Sequence, residues 1–216
     1  MKFSFSGTNC SMAAGLPCAI GAQTAYPGRQ AVVFTGDGSM TMQLGDMLTL
    51  VQHRLPVKIV VIKNNTLGLI KWEQMVFLGN QMVFLGNPGY GVNMAPLDFV
   101  KYAEACGAYG ARVEDPADCV ATLRAAFAHD GPAIVAMVVD PHEPPIPAKV
   151  KKAQMTKLFS AMKAGTPNRN RIALQMVKDM LDESTFDASP GHVIPDAVGR
   201  GAKAVVDKVK GSDDDQ

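Results

Sequence analysis

Three short runs constrain the fold of this chain more than any other feature: AVVFT (Ala31–Thr35), VKIVVIK (Val57–Lys63) and PAIVAMVV (Pro132–Val139). They are largely apolar along their length rather than alternating, so each reads as a strand buried on both faces. Helical spacing fills the stretches between them. SMAAGLPCAIGAQTAY (Ser11–Tyr26) is rich in small residues and ends at PGR. MQLGDMLTLVQHR (Met42–Arg54) places Leu44, Met47, Leu48 and Val51 on one helical face. PLDFVKYAEACG (Pro96–Gly107) opens with proline at the expected first helical position and closes on glycine. GARV (Gly110–Val113) is a short strand, and DPADCVATLRAAFA (Asp115–Ala128) is a helix with Asp115 as its N-cap. Strands alternating with helices imply βαβ units and a doubly wound parallel sheet, hence an α/β fold.

The remaining composition narrows the class. With 216 residues, 47% of them apolar and 19% charged, the chain suffices for one domain, or one domain plus an appendage. A net charge of +1 gives no reason to expect nucleic acid or an anionic surface as partner. No apolar run reaches the roughly 18 residues of a membrane span, and MKFSFSG has no apolar stretch behind its lysine. Cys10, Cys18, Cys106 and Cys119 have no metal-ligand spacing and are expected to be reduced and buried, as in a cytoplasmic protein. His53, His129, His142 and His192 have no triad spacing and are expected to be structural or at the surface. After Asp140 the texture changes to a proline-rich arm, PHEPPIPAK, then two polar-faced helices, MTKLFSAMKAG and NRNRIALQMVKDMLDE, and a tail. The expected divisions are a binding domain over 1–141, an extended arm and helices over 142–183, and a partly disordered tail over 184–216. QMVFLGN occurs twice in succession, at Gln74–Asn80 and Gln81–Asn87. It reads as a tandem duplication tolerated at the surface, with an altered lid near the site as the sharper alternative.

The first two strands end on chemistry. AVVFT runs into Gly36-Asp37-Gly38-Ser39, and VKIVVIK into Asn64-Asn65. In a parallel sheet both ends lie on one edge, the edge at which open α/β sheets bind ligands. One carboxylate with neutral oxygen donors beside flexible glycines suits a hard divalent cation that holds a phosphate. Magnesium fits best, taking about six oxygens at about 2.1 Å and needing only one or two carboxylates. The chain has no GxGxxG and no GxxxxGK[ST], which removes the nicotinamide-dinucleotide and P-loop readings.

GDGS at one strand end and KNNTLG at the next resemble the thiamine-diphosphate signature. SGTNCSMAAGLPCAIGAQTAYPGRQAVVFTGDGSMTMQ and LPVKIVVIKNNTLGLIKWEQ extend the likeness, which runs from about Ser6 to Val150. The chain resembles the C-terminal, pyrophosphate-binding domain of the pyruvate oxidase and acetohydroxyacid synthase family. PHEPPIPAKV and GTPNR look closest to the oxidase or dehydrogenase branch acting on pyruvate. The resemblance implies a thiamine-diphosphate-binding fold with thiamine diphosphate and Mg²⁺ as cofactors. Asp37 would ligate the metal through its carboxylate, Asn64 through its amide oxygen and Thr66 through its backbone carbonyl; aligning TLG selects Asn64 over Asn65. Gly36, Gly38 and Ser39 would hold the diphosphate at the start of the following helix. Cys10, Ser11 and Met12 would line the pyrimidine and thiazolium region, with Met12 propping the cofactor in its bent form or simply packing in the core. Leu67, Gly68, Leu69 and Ile70 would lie at the cofactor, the last three as a wall beside the thiazolium. Trp72 and Glu73 would stand beside that wall or, equally, face the surface or a partner.

The resemblance also implies what lies elsewhere. The family's activating glutamate belongs to a pyrimidine-binding domain with no counterpart here, so no catalytic residue is expected in this chain. FAD belongs only to the full-length enzyme of the oxidases. The first strand and helix of the domain are expected to be missing. The chain is therefore expected to be a C-terminal fragment or subunit of a decarboxylating oxidase or dehydrogenase of 2-oxo acids, inactive alone. An acetolactate synthase-like carboligase part and a non-catalytic remnant are the alternatives. Exposed apolar surface should lead it to associate, as a homo-oligomer or with the pyrimidine-binding partner.

Overall fold

In a computed structural model the apolar runs form four parallel strands: β1 (Val32–Gly36), β2 (Lys58–Lys63), β3 (Tyr109–Val113) and β4 (Ala133–Val138). Their order across the sheet is β1-β2-β4-β3. Val33 pairs with Ile59, Ile59 with Ile134, and Gly110 with Ile134, which fixes the residues that share a face. The structure describes residues 7, 9–74, 90–142, 170–172 and 175. Two units divide the chain: Met1–Leu67 with Asn93–Pro141, and Gly68–Val92 with His142–Gln216. The whole sheet belongs to the first.

Helices flank both faces of that sheet, as the strand–helix alternation implies. Helices α1 (Gly15–Ala25), α3 (Asp46–Gln52) and α5 (Phe99–Ala105) contribute to one core. There Leu16, Ala19, Met47, Leu50, Phe99 and Ala103 pack with Val33, Ile59, Val61, Ile134 and Ala136. Helix α6 (Cys119–Ala128) packs on the other face, where Ala126 joins Val113, Ala133 and Val135. That second face is covered over β3 and β4 but bare over β1, where Val32 is 49% and Phe34 73% exposed.

Local chemistry explains where these helices begin and end. Asp98 caps α5, its Oδ1 accepting from the amides of Val100 (3.1 Å) and Lys101 (3.2 Å). Pro96 therefore stands outside the helix rather than at its first position, because the nearer aspartate satisfies the orphan amides. Asp115 caps as expected, accepting from the Ala117 amide at 2.9 Å, but what it caps is a short 3₁₀ turn, Pro116–Asp118, ahead of α6. Residues 42–45 form turns rather than the start of α3. Amides there reach back three residues, Met42 to Ser39 (3.3 Å) and Gln43 to Met40 (3.1 Å).

The ends of α5 and α3 use one motif with different residues. At α5, Gly107 has φ 83 and Ala108 N donates to Ala103 O at 2.9 Å. At α3, Arg54 has φ 50 and Leu55 N donates to Leu50 O at 2.9 Å. Both are Schellman ends, in which the left-handed position favours glycine. Arg54 is exposed, so Arg54→Gly is expected to raise stability by about 1 kcal/mol, read as a higher urea midpoint.

Lys58 is the polar exception in the β2 run. It is fully buried, and its Nζ donates to the carbonyls of His129 and Gly131, each at 2.6 Å, at the C-terminal end of α6. Burial lowers its pKa below 10.5, with Asp130 opposing. The unfolded chain then binds more protons between the folded pKa and 10.5, so this group makes stability rise with pH across that window.

The expected burial of the cysteines is overturned. Cys10 and Cys18 are exposed, and Cys106 and Cys119 are only half-buried. Cys18 lies on the outer side of α1, whose buried residues are Leu16, Ala19 and Gln23. Among the described residues no helix is long and apolar enough to cross a membrane.

In the second unit, α4 (Gly68–Glu73) follows directly on Leu67. Trp72 in it is buried. Residues 170–172 and 175 are helical, within the expected helix NRNRIALQMVKDMLDE, and Ile172 is buried. The rest of the arm, the tail and all of the QMVFLGN duplication except Gln74 lie outside the described residues.

Candidate functional site

β1 ends at Gly36, whose extended backbone (φ −78, ψ 159) leads into helix α2 (Asp37–Thr41) with Asp37 as its first residue. Asp37 is only 3% exposed. Its Oδ1 accepts from the Gly38 amide at 2.8 Å, and its Oδ2 from the amides of Asn64 (3.0 Å) and Asn65 (2.6 Å). One carboxylate thus ties the C-terminal ends of two adjacent parallel strands, β1 and β2. Two strand ends widely separated in sequence meet because Gly36 pairs with Ile62 in the sheet register.

Beyond β2 the chain turns sharply. Asn65 has φ 56, a left-handed conformation that asparagine tolerates better than most residues. Asn64 Oδ1 accepts from the Thr66 amide at 3.0 Å. Thr66 is buried and bridges Asn93, and the Met94 amide donates to the Asn65 carbonyl at 3.0 Å. Lys63, the last residue of β2 and 8% exposed, donates from Nζ to Asn65 Oδ1 at 2.7 Å.

Gly38 is tightly enclosed. A Cβ there would lie 2.8 Å from Leu67 Cδ2, 3.2 Å from Met12 Cε and 3.3 Å from Met94 Sδ. Nothing lies within 4 Å of the corresponding position at Gly36. Ser39 follows in α2 and is half-buried. The segment before α1 also approaches this place: Met12 is 48% exposed, so it is no core residue, and Cys10 and Ser11 beside it are exposed. Cys10 and Ala13 both adopt positive φ, 47 and 68. Gly68, Leu69 and Ile70 open α4 in the second unit, where Leu69 and Ile70 are exposed.

The donor set has room for a cation. A carboxylate offers about four lone-pair directions and a side-chain amide oxygen two. Three amides occupy Asp37 and one occupies Asn64 Oδ1. Among the described residues no three His, Cys, Asp or Glu side chains come together. A single carboxylate with neutral oxygens suits a hard cation that brings phosphate oxygens of its own. Gly38 beside that carboxylate lets the tips of Leu67, Met12 and Met94 close in where a side chain would stand.

Sequence reasoning singled out the Asn64-Asn65 pair but not the turn that Asn65 makes, and it missed Lys63, Asn93 and Met94 as residues of the site. An asparagine directly after a strand, where the chain must turn, is the local signal for that turn. Lys63 and Asn65 also line a cleft of about 300 Å³ with Asp98 and Arg112, beside α5. Arg112 in that cleft pairs with Glu114.

Comparison with known proteins identifies the family. The family model "Thiamine pyrophosphate enzyme, C-terminal TPP binding domain" matches residues 1–137. The putative thiamine pyrophosphate-containing protein YdaP of Bacillus subtilis is 34% identical over 152 residues, covering 70% of this chain and 25% of that protein. The acetolactate synthase isozyme 1 large subunit of Escherichia coli is 31% identical over 153 residues, covering 71% of this chain and 26% of its own. Among solved structures, the thiamine diphosphate-dependent 4-hydroxybenzoylformate decarboxylase of Rhodococcus jostii RHA1 matches with TM-score 0.51 and 29% identity, over 60% of this chain and 23% of that one. The chain spans about a quarter of the length of these relatives. By fold, strand-end carboxylate and family match, the chain belongs to the family of C-terminal TPP-binding domains of thiamine pyrophosphate enzymes.

Proposed function

We propose that this chain holds the diphosphate–Mg²⁺ half of a thiamine-diphosphate site in an enzyme that decarboxylates a 2-oxo acid of the pyruvate type and passes the product to an oxidant. The observation that carries the reading is the Asp37 carboxylate, buried and held by three amides across the ends of β1 and β2, next to a glycine closely covered by the side-chain tips of Leu67, Met12 and Met94. In it Asp37, Asn64 Oδ1 and the Thr66 carbonyl hold the metal. Gly36, Gly38 and Ser39 face the diphosphate. Cys10, Ser11, Met12 and Leu67 lie toward the thiazolium and pyrimidine. The bound cofactor supplies the electron sink for decarboxylation, and the protein supplies placement and charge. The glutamate that activates the pyrimidine comes from another domain or subunit. The bare apolar face at Val32 and Phe34 supports association, with that partner or with a second copy. A second reading, a carboligase of the acetolactate synthase type, is favoured by the acetolactate synthases among the relatives.

Calorimetry tests the binding half. Thiamine diphosphate is expected to bind with Mg²⁺ present and to lose at least about tenfold in affinity in EDTA, because the phosphate charge then meets an unneutralised carboxylate. Equal affinity in EDTA would sink the metal-bridged reading. Carbon dioxide release from pyruvate on mixing with a pyrimidine-domain chain tests the enzymatic half. Acetolactate among the products would select the carboligase. A monodisperse monomer in light scattering, alone and in the mixture, would remove the association.

A further inference from the structure

We propose that Lys63 is a positioning residue for the Asp37–Asn64 site, acting through Asn65. The proposal rests on the metal–diphosphate reading above for its functional consequence and on the geometry alone for its structural one. In a strand, successive amides point to opposite sides. Here the consecutive amides of Asn64 and Asn65 converge on one oxygen, Asp37 Oδ2, at 3.0 and 2.6 Å. That convergence accompanies the left-handed backbone of Asn65, φ 56, a conformation most side chains avoid. The Met94 amide donates to the Asn65 carbonyl at 3.0 Å, and the bond that reaches the Asn65 side chain comes from Lys63 Nζ to Oδ1 at 2.7 Å.

Lys63 is suited to this. Its backbone is fixed at the end of β2, paired with Val138 and accepting from the Val139 amide at 3.0 Å. Its side chain is buried, which lysine rarely is without a partner. Lys63 also lines the cleft of about 300 Å³ beside α5. The ammonium therefore braces the turn, the turn aims two amides, and the amides orient the carboxylate. Partners that orient a metal ligand at one remove commonly change metal affinity by about 10–100-fold when deleted.

The test uses the full chain and three variants, Lys63→Met, Lys63→Met/Asn65→Gly and Asp37→Ala. Amide exchange is read at Asn65 and at Val60 in the middle of β2, and Mn²⁺–thiamine diphosphate binding by Mn²⁺ resonance. Lys63→Met is expected to speed Asn65 exchange about 10-fold, to leave Val60 unchanged and to weaken binding about 10-fold. Glycine at position 65 adopts positive φ without a brace, so the double variant is expected to recover binding to within about 3-fold of the parent. A purely structural lysine would not be rescued in this way. Unchanged Asn65 exchange in Lys63→Met, loss of protection at Val60 as well, or no recovery in the double variant each overturns the proposal. Absence of Mn²⁺–cofactor binding by the parent, or binding unaffected by Asp37→Ala, instead overturns the metal–diphosphate reading, and the exchange measurements still decide whether Lys63 braces the turn.

Discussion

Replacing Asp37 with alanine is expected to remove Mg²⁺-dependent thiamine-diphosphate binding and to destabilise the fold by roughly 3 kcal/mol. The stability loss follows from three amides, of Gly38, Asn64 and Asn65, that would lose their acceptor together. Each unsatisfied buried donor costs about 1–3 kcal/mol, and the total stays near the value for one or two because the loop relaxes toward water. Asp37→Asn separates the two effects. Its amide oxygen still accepts from Asn64 and Asn65, so most of the stability should return. The charge does not return, and metal-dependent affinity should stay on the order of 100-fold down, at the upper end of what ligand-shell changes cost. Urea unfolding and calorimetry on the same two variants read both quantities. Asp37→Asn binding as tightly as the parent would show that the carboxylate serves only to staple the strand ends.

Gly110→Ala is the second large effect, and it concerns the fold rather than the site. Gly110 lies in β3 beneath α5, and a Cβ there would sit 2.8 Å from Val100 O, 2.9 Å from Val100 Cα and 3.2 Å from Ala103 Cβ. Two of those atoms are backbone of a capped, packed helix, so the added methyl must push α5 off the sheet. Overpacking of this kind costs roughly 1–3 kcal/mol, and the upper end is expected here because no flexible side chain can yield. Gly38 makes the contrast. Its close neighbours are the tips of Leu67, Met12 and Met94, which can swing aside, so a methyl there costs less stability. A urea midpoint for Gly110→Ala unchanged from the parent would mean that α5 is not held against β3 at this point.

Much of this was legible in the residues. The apolar runs marked β1, β2 and β4 to within a residue or two, because a strand buried on both faces tolerates few polar side chains anywhere along it. Lys58 escaped notice because a lysine at the start of such a run looks like a surface residue. Only the fold brings the His129 and Gly131 carbonyls to it. Pro96 misled for a related reason. Proline and aspartate both mark helix starts, and which one acts depends on where the chain enters α5. Cysteine burial failed because Cys18 falls outside the buried stripe of α1 and Cys10 lies before that helix. Met94 and Asn93 reach the Asn65–Thr66 turn from a separate stretch of chain, a meeting no local pattern encodes.

The sequence by itself determined the kind of fold and the chemistry at two strand ends. Those depend on hydrophobic period and on residue types at fixed places, both local properties of a chain. The tertiary structure decided which atoms face one another. The parallel register of β1 and β2 brings the Asp37 carboxylate to the amides of Asn64 and Asn65, and the buried ammonium of Lys63 braces the turn between them. The reason is that hydrogen bonds and close packing act over about 3 Å, whereas the sequence pattern specifies which elements pair but not the angle at which a side chain or a turn arrives.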